Sequence, residues 1–139
     1  MRIGGNQDNF IKVNLEMAFK DSLLNTFYLS KTEVSQREWR VYCSQNEVDF
    51  PEIPVKLLND DYPIIYISWF EAKAYAKWIS EKTGDKYDLP TLIEWQTARE
   101  ELKDLKSQAW IYNNAERTIH QPCTKEEFSN GLCDIEGNV

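Results

Sequence analysis

Residues 89–95 read Leu89-Pro90-Thr91-Leu92-Ile93-Glu94-Trp95, and this stretch carries the clearest structural signal in the chain. Thr91 and Glu94 have the spacing of a capping box, in which a hydroxyl and a carboxylate satisfy backbone N–H groups at the start of a helix. Pro90 fixes the backbone that enters this helix. The sequence therefore predicts a helix from this point, and its apolar face carries Trp95, Ala98, Leu102 and Leu105.

The same spacing occurs twice more, at Ser35 with Glu38 and at Ser68 with Glu71. Behind each cap, apolar residues recur at helical intervals. The first helix has the stripe Trp39, Tyr42 and Cys43, and the second has Ala72, Tyr75, Ala76 and Ile79 with Trp78 beside them. Gly84 supplies a stop for the second helix. We therefore predict three short capped helices.

Extended structure is predicted at two short stretches rich in β-branched and aromatic residues, at 27–29 and at 64–67. Pro63 opens the second of them. The tail at 113–139 contains several turn-forming pairs and is predicted to be mostly loop. Since nothing marks an internal boundary, we expect a single α+β domain over residues 1–139, with few strands and much irregular chain.

Four segments, in this order, carry a family resemblance: 27–35, 63–72, 89–95 and 130–139. They read FYLSKTEVS, PIIYISWFEA, LPTLIEW and NGLCDIEGNV. The third is similar to the LPTEAEWE segment, and the fourth to the loop before GNVWEW, of formylglycine-generating enzymes. The chain thus resembles the N-terminal portion of a formylglycine-generating-enzyme (sulfatase-modifying-factor) domain, and the resemblance implies a C-type-lectin-related fold.

The resemblance also sets expectations for activity. Oxidases of this family bind Cu(I) through a cysteine pair in a later segment, and this sequence stops at Val139 before it. We therefore assign no catalytic and no cofactor-binding residue, expect no copper site, and expect the chain as given to be non-catalytic. Two alternatives stay open: a partial chain of an active formylglycine-generating oxidase, and a ligand-binding lectin-like module.

Calcium is the one metal for which the resemblance offers candidates. Asn114 and Asn138 match asparagines of calcium-binding loops in the family, and hard Ca²⁺ takes oxygen ligands. Glu116, Glu126 and Glu127 are nearby oxygen donors for the first loop. A plain asparagine-rich turn is the alternative for Asn114, and we expect any binding to be weak.

The three cysteines have separate interpretations. Cys43 lies on an apolar helix stripe and is predicted to be a buried, inert thiol. The spacing of Cys123 and Cys133 allows a disulfide but favours none, and we expect this turn-rich loop not to hold two sulfurs together for a copper ion. His120, the single histidine, is predicted to lie on the surface and excludes a multi-histidine iron site.

Composition narrows the partners and the compartment. A net charge of −7 argues against nucleic acid and against an anionic membrane surface as binding partners, which leaves an unknown protein or small ligand as the partner.

The tryptophans at 69, 78 and 95 are predicted to be core, with a stacking platform for a sugar or base as the alternative. Residues 1–5 lack a signal-peptide pattern, so the chain as given is expected to be cytoplasmic, or periplasmic or secreted if a leader was removed.

Overall fold

A computed structural model of the chain describes residues 10–14, 26–99 and 104–139. In these ranges two strands, β1 (Phe10–Asn14) and β2 (Thr26–Ser30), pair antiparallel, with Phe10 opposite Ser30. Four helices follow: α1 (Gln36–Asn46), α2 (Trp69–Thr83), α3 (Leu92–Arg99) and α4 (Leu105–Gln108). A short 3₁₀ turn covers Val55–Leu57. The expected mixed fold is confirmed, with helix as the larger part. Residues 1–5 and Leu102, which entered the predictions, lie outside the described residues.

All three predicted capping boxes are present. The backbone N–H of Glu38 donates to Ser35 Oγ over 3.2 Å, and Ser68 is arranged in the same way with Glu71. At α3 the N–H of Thr91 donates to the carboxylate of Glu94 over 2.8 Å, and the N–H of Glu94 donates back to the hydroxyl over 3.2 Å. Each of these three helices therefore begins at the capping residue that the sequence predicts.

Two local predictions are wrong. Residues 64–67 do not form a strand: Pro63 makes an isolated bridge to Ser35, and Tyr66 has φ +60°, which no extended strand accommodates. Leu105 does not belong to α3, which is described over Leu92–Arg99, because the backbone of Asp104 is extended. Asp104 accepts backbone N–H groups through its carboxylate and so starts the separate helix α4.

The first core joins α1 to α2. The predicted stripe is buried here, and Trp39 stacks on Tyr75 with ring centroids 5.1 Å apart, while Tyr42 meets Tyr75 edge-on at 5.4 Å. The buried members are Trp39, Tyr42, Cys43, Ile53, Ile64 and Tyr75. Large rings fill this irregular space well.

The second core joins β2 and α3 to the C-terminal loop. Its buried members are Phe27, Leu29, Ala98, Phe128 and Leu132, with Ile135 against them. After Gln108 the chain is loop, as predicted, apart from an isolated bridge between Trp110 and Gly137. Two residues of that loop, Phe128 and Leu132, are buried in this core, so side-chain packing helps to hold a largely irregular segment in place.

Candidate functional site

Asn138 ties the C-terminal loop to the segment that leads into α1. Its side-chain N–H₂ donates to Glu33 Oε1 over 3.0 Å and to the carbonyl of His120 over 3.1 Å. Its Oδ1 accepts the backbone N–H of His120 over 2.9 Å. The amide is therefore engaged on both sides, and only one lone pair of Oδ1 is left for any metal ion.

Two carboxyl groups with buried oxygens lie in this region, and that of Glu33 contacts the Asn138 amide. Oε2 of Glu33 and Oδ1 of Asp134 are both buried and find no hydrogen-bond partner among the described residues. Burial, together with the charge of Asp134, raises the pKa of Glu33 to about 7. Burial also raises the pKa of Asp134, although Oδ2 of that residue accepts the N–H of Cys123 over 2.8 Å. Burial thus raises the pKa of both carboxyl groups on this side of the site.

A disulfide joins Cys123 to Cys133, and the two Cα atoms are 5.1 Å apart. The sequence left this bridge as the less favoured alternative, and the expectation that the loop would hold the two sulfurs apart is wrong. The packing of the loop into the second core brings the two cysteines together. Cys43 is free and buried, as predicted.

The other candidate calcium ligand, Asn114, lies beside α4. Its Oδ1 accepts the N–H of Ile111 over 2.7 Å, and its N–H₂ donates to the carbonyls of Lys106 and Ala109. No hydrogen bond joins it to Asn138 among the described contacts. Both asparagines stabilise turns, and their calcium binding stays a prediction.

A cavity of about 190 Å³ opens next to the carboxyl pair. Glu33, Asp134 and Cys133 line one part of it, and Pro90 and Trp95 line another. The indole N–H of Trp95 donates to the carbonyl of Ile135 over 3.3 Å, which holds α3 against the C-terminal loop. Segments that are far apart in sequence therefore share this cavity.

An aromatic group stands on the surface at the start of α2. Tyr66, Trp69 and Phe70 are 65%, 61% and 77% exposed, and the last two meet edge-on at 5.2 Å. The prediction that Trp69 is core is wrong, because this residue, the first of α2, points away from the first core. Trp78 and Trp95 are partly buried.

His120 is half-buried and is not a plain surface residue. Its ring stacks on Trp110 with centroids 3.6 Å apart, and Nε2 lies 3.0 Å from the carbonyl of Ala115. On the same indole, Lys125 Nζ lies 4.2 Å from the ring centroid.

In the described parts of the chain, every helix is too short or too polar to cross a lipid bilayer.

The sequence profile of the family described as sulfatase-modifying factor enzyme 1-like domain matches residues 3–139. This chain belongs to the FGE-sulfatase family. No curated protein sequence matches it.

Two solved structures share the fold of this FGE-sulfatase domain. Variable protein 1 of Treponema denticola has a TM-score of 0.70 at 20% identity, over 94% of this chain and 70% of its own. PvdO from Pseudomonas aeruginosa has a TM-score of 0.68 at 15% identity, over 100% of this chain and 64% of its own. The chain therefore spans about two thirds of the length of each.

Three of the four motifs that carry the family resemblance contribute residues to the site of this FGE-sulfatase domain. Glu33 comes from the first motif, Trp95 from the third, and Asp134 and Asn138 from the fourth. Asn138 was predicted from the sequence as a site residue, whereas Glu33 and Asp134 were not. One available signal was the acidic residue inside the apolar run 132–135, since a carboxylate among apolar neighbours is often buried.

Proposed function

We propose that this chain acts as a non-catalytic binding module of the FGE-sulfatase family, on a C-type-lectin-related scaffold. The state of its cysteines is the observation that carries this proposal. A copper oxidase of the kind the family contains needs two thiolates that converge on one soft metal ion. The chain has three cysteines. Cys123 and Cys133 are bonded to each other and Cys43 is the third, so two free thiolates are not available together.

Cys43 cannot serve as a copper ligand where it lies. Its Sγ is packed on α1, 3.7 Å from the carbonyl oxygen of Asp49, and burial raises the pKa of the thiol. Cys123 and Cys133 are bonded to each other in a different part of the molecule. The thiol chemistry of an oxidase is thus missing from the part of the site that this chain provides.

The exposed aromatic group supports a binding role. Soluble domains seldom leave adjacent large rings in water unless the surface has a use, and Tyr66, Trp69 and Phe70 are all more than half exposed. Lys73 Nζ lies over the ring of Trp69, 5.7 Å from its centroid, and pairs with Asp88, so it adds a polar group beside the rings. Flat rings beside a polar group suit a small ligand that stacks, such as a sugar ring.

One observation favours a second candidate, a part of a formylglycine-generating oxidase. The chain spans 70% and 64% of the two similar solved chains, so a longer protein could add the two thiolates. In that case the present residues would supply scaffold and no catalytic group.

The oxidase question is tested by incubating the purified chain with Cu(I), oxygen, a reductant and a peptide that contains the sulfatase motif Cys-x-Pro-x-Arg. We expect the peptide mass to stay unchanged. A copper-dependent conversion of the peptide thiol to an aldehyde, lost in a Cys123→Ser/Cys133→Ser variant, would overturn the proposal.

The proposed binding of a sugar by the exposed aromatic group is tested on an array of immobilised oligosaccharides. We expect binding that is lost in Trp69→Ala/Phe70→Ala and kept in Tyr112→Ala, a matched variant that removes an aromatic ring 81% exposed elsewhere. Equal loss in both variants, or no binding by the unmodified chain, would exclude this surface as a sugar site.

A further inference from the structure

Cys123, Cys133 and Glu127 form a cluster outside the buried carboxyl pair. Their two Sγ atoms and a carboxylate oxygen of Glu127 all lie within 4.8 Å of one another. Cys123 is half-buried, Cys133 is buried and Glu127 is exposed, so the cluster is open to solvent on one side. As long as the two sulfurs are bonded to each other, neither can act as a thiolate ligand.

We propose that reduction of this disulfide creates a zinc site, with Cys123, Cys133 and Glu127 as its three protein ligands. Zinc takes thiolate and carboxylate ligands in a tetrahedral arrangement, and with three protein ligands water fills the fourth position. At Zn–S distances of about 2.3 Å, tetrahedral geometry places two thiolates roughly 3.8 Å apart. The two sulfurs therefore have to move apart from 2.04 Å in the disulfide to roughly 3.8 Å in the zinc site.

The loop has contacts that keep the two cysteines close after the bond is broken. The N–H of Cys133 donates to the carbonyl of Lys31 over 2.9 Å, and the N–H of Cys123 donates to the buried carboxylate of Asp134 over 2.8 Å. Between them, Phe128 and Leu132 are buried in the second core. Reduction removes one bond from a segment that is held at several other points.

Glu127 is oriented for the same site. Lys31 Nζ lies 2.5 Å from Glu127 Oε1, so this ion pair orients the carboxylate group that lies near the two sulfurs. Outer partners of this kind commonly orient metal-binding carboxylates. The oxygen donor also favours zinc over Cu(I), which prefers soft sulfur ligands alone.

The redox step needs a two-electron reductant, and we assign it to a dithiol. The dithiol is oxidised to its own disulfide, the Cys123–Cys133 bond breaks, and two thiols form. Zinc then replaces the two thiol protons, which pass to solvent. The step is reversed by a disulfide oxidant, which is reduced to its dithiol while Cys123 and Cys133 re-form their bond and release the zinc. The site therefore links metal binding to the thiol–disulfide balance of the surroundings.

The test compares the oxidised chain with the chain reduced by a dithiol and then freed of reductant under anaerobic conditions. We expect about one zinc ion per reduced chain and none per oxidised chain, measured by metal analysis after gel filtration. Cobalt used as a probe should give a near-ultraviolet thiolate-to-metal charge-transfer band in the reduced form only. Near-ultraviolet circular dichroism of the aromatic core reports whether the reduced chain stays folded.

Variants separate this site from adventitious binding. Cys123→Ser/Cys133→Ser, which keeps Cys43, should abolish binding, and Glu127→Gln should weaken it at least tenfold. Glu126→Gln is the matched control and should bind like the unmodified chain. Equal zinc in the oxidised and reduced forms, a folded reduced chain without zinc, an unfolded reduced chain, or equal affinities of the two glutamine variants would each overturn the proposal.

Discussion

Asn138 donates its side-chain amide to Glu33 over 3.0 Å, although 105 positions separate the two residues in the sequence. Through this bond the C-terminal loop closes against the segment before α1. The second oxygen of this carboxyl group is buried and accepts no hydrogen bond from the part of the chain that the structure describes. The contact therefore couples the placement of the loop to the protonation of a single side chain.

Replacing Asn138 with Ala should lower the free energy of unfolding by about 2–3 kcal/mol, because Glu33 and both backbone groups of His120 lose their partner. Urea denaturation measures this loss. Asn46→Ala is the matched control, since that amide makes a single bond to the carbonyl of Tyr42 and should cost below about 1 kcal/mol. Equal costs would show that the Asn138 contacts do not stabilise the loop.

The contribution of Glu33 to the free energy of unfolding should fall as pH rises from about 4.5 to about 7. Its pKa is raised to about 7 from an ordinary value of 4.5, so in this window the unfolded chain releases a proton that the folded chain keeps. The contribution is roughly 3 kcal/mol, present in full below pH 4.5 and lost above pH 7. The raised pKa of Asp134 acts in the same direction.

Glu33→Gln isolates this effect, because the amide mimics the protonated acid and can still accept from Asn138. Unfolding measured from pH 4 to pH 8 should show a smaller fall in stability for the variant than for the unmodified chain. Parallel curves would mean that Glu33 does not titrate differently in the two states.

Gly137→Ala should cost several kcal/mol, well above the cost of Gly84→Ala. Both glycines have positive φ, at +76° and +79°, so both variants carry the left-handed penalty of about 1–2 kcal/mol. At Gly137 the new Cβ would also lie 2.1 Å from the carbonyl oxygen of Trp110, whereas nothing lies within 4 Å at Gly84. Thermal unfolding of the two variants compares them directly, and similar shifts would exclude the clash.

Trp39→Ala should cost about 3–5 kcal/mol, because that indole is 2% exposed and stacks on Tyr75. Trp69→Ala removes the same side chain from a position 61% exposed and should cost below about 1 kcal/mol. Chemical denaturation of both variants measures the difference. A cost for Trp69→Ala as large as that for Trp39→Ala would mean that the aromatic surface group is covered in solution.

Calcium should bind weakly. Oδ1 of Asn114 accepts the N–H of Ile111, and Oδ1 of Asn138 accepts that of His120, so each amide would give up or share a hydrogen bond on binding the ion. A calcium titration followed by thermal unfolding should show no shift at micromolar concentration. A shift that saturates there and is lost in Asn114→Ala or Asn138→Ala would contradict this expectation.

The sequence by itself determined the features that depend on neighbouring residues. Ser35, Ser68 and Thr91 start helices because each cap is satisfied by a glutamate three positions later. The stripe that includes Trp39 was predictable for the same reason, since helical periodicity alone brings its members to one face. The ordered motifs also indicated the family.

Only the tertiary structure decided what the C-terminal loop does. Turn-forming pairs predict that residues 113–139 are irregular, but they cannot say that Phe128 and Leu132 enter a core with β2 and α3. That packing brings Cys123 to Cys133 and Asn138 to Glu33. Such contacts depend on the path of the whole chain, because burial and charge at one residue are set by others that are far away in the sequence.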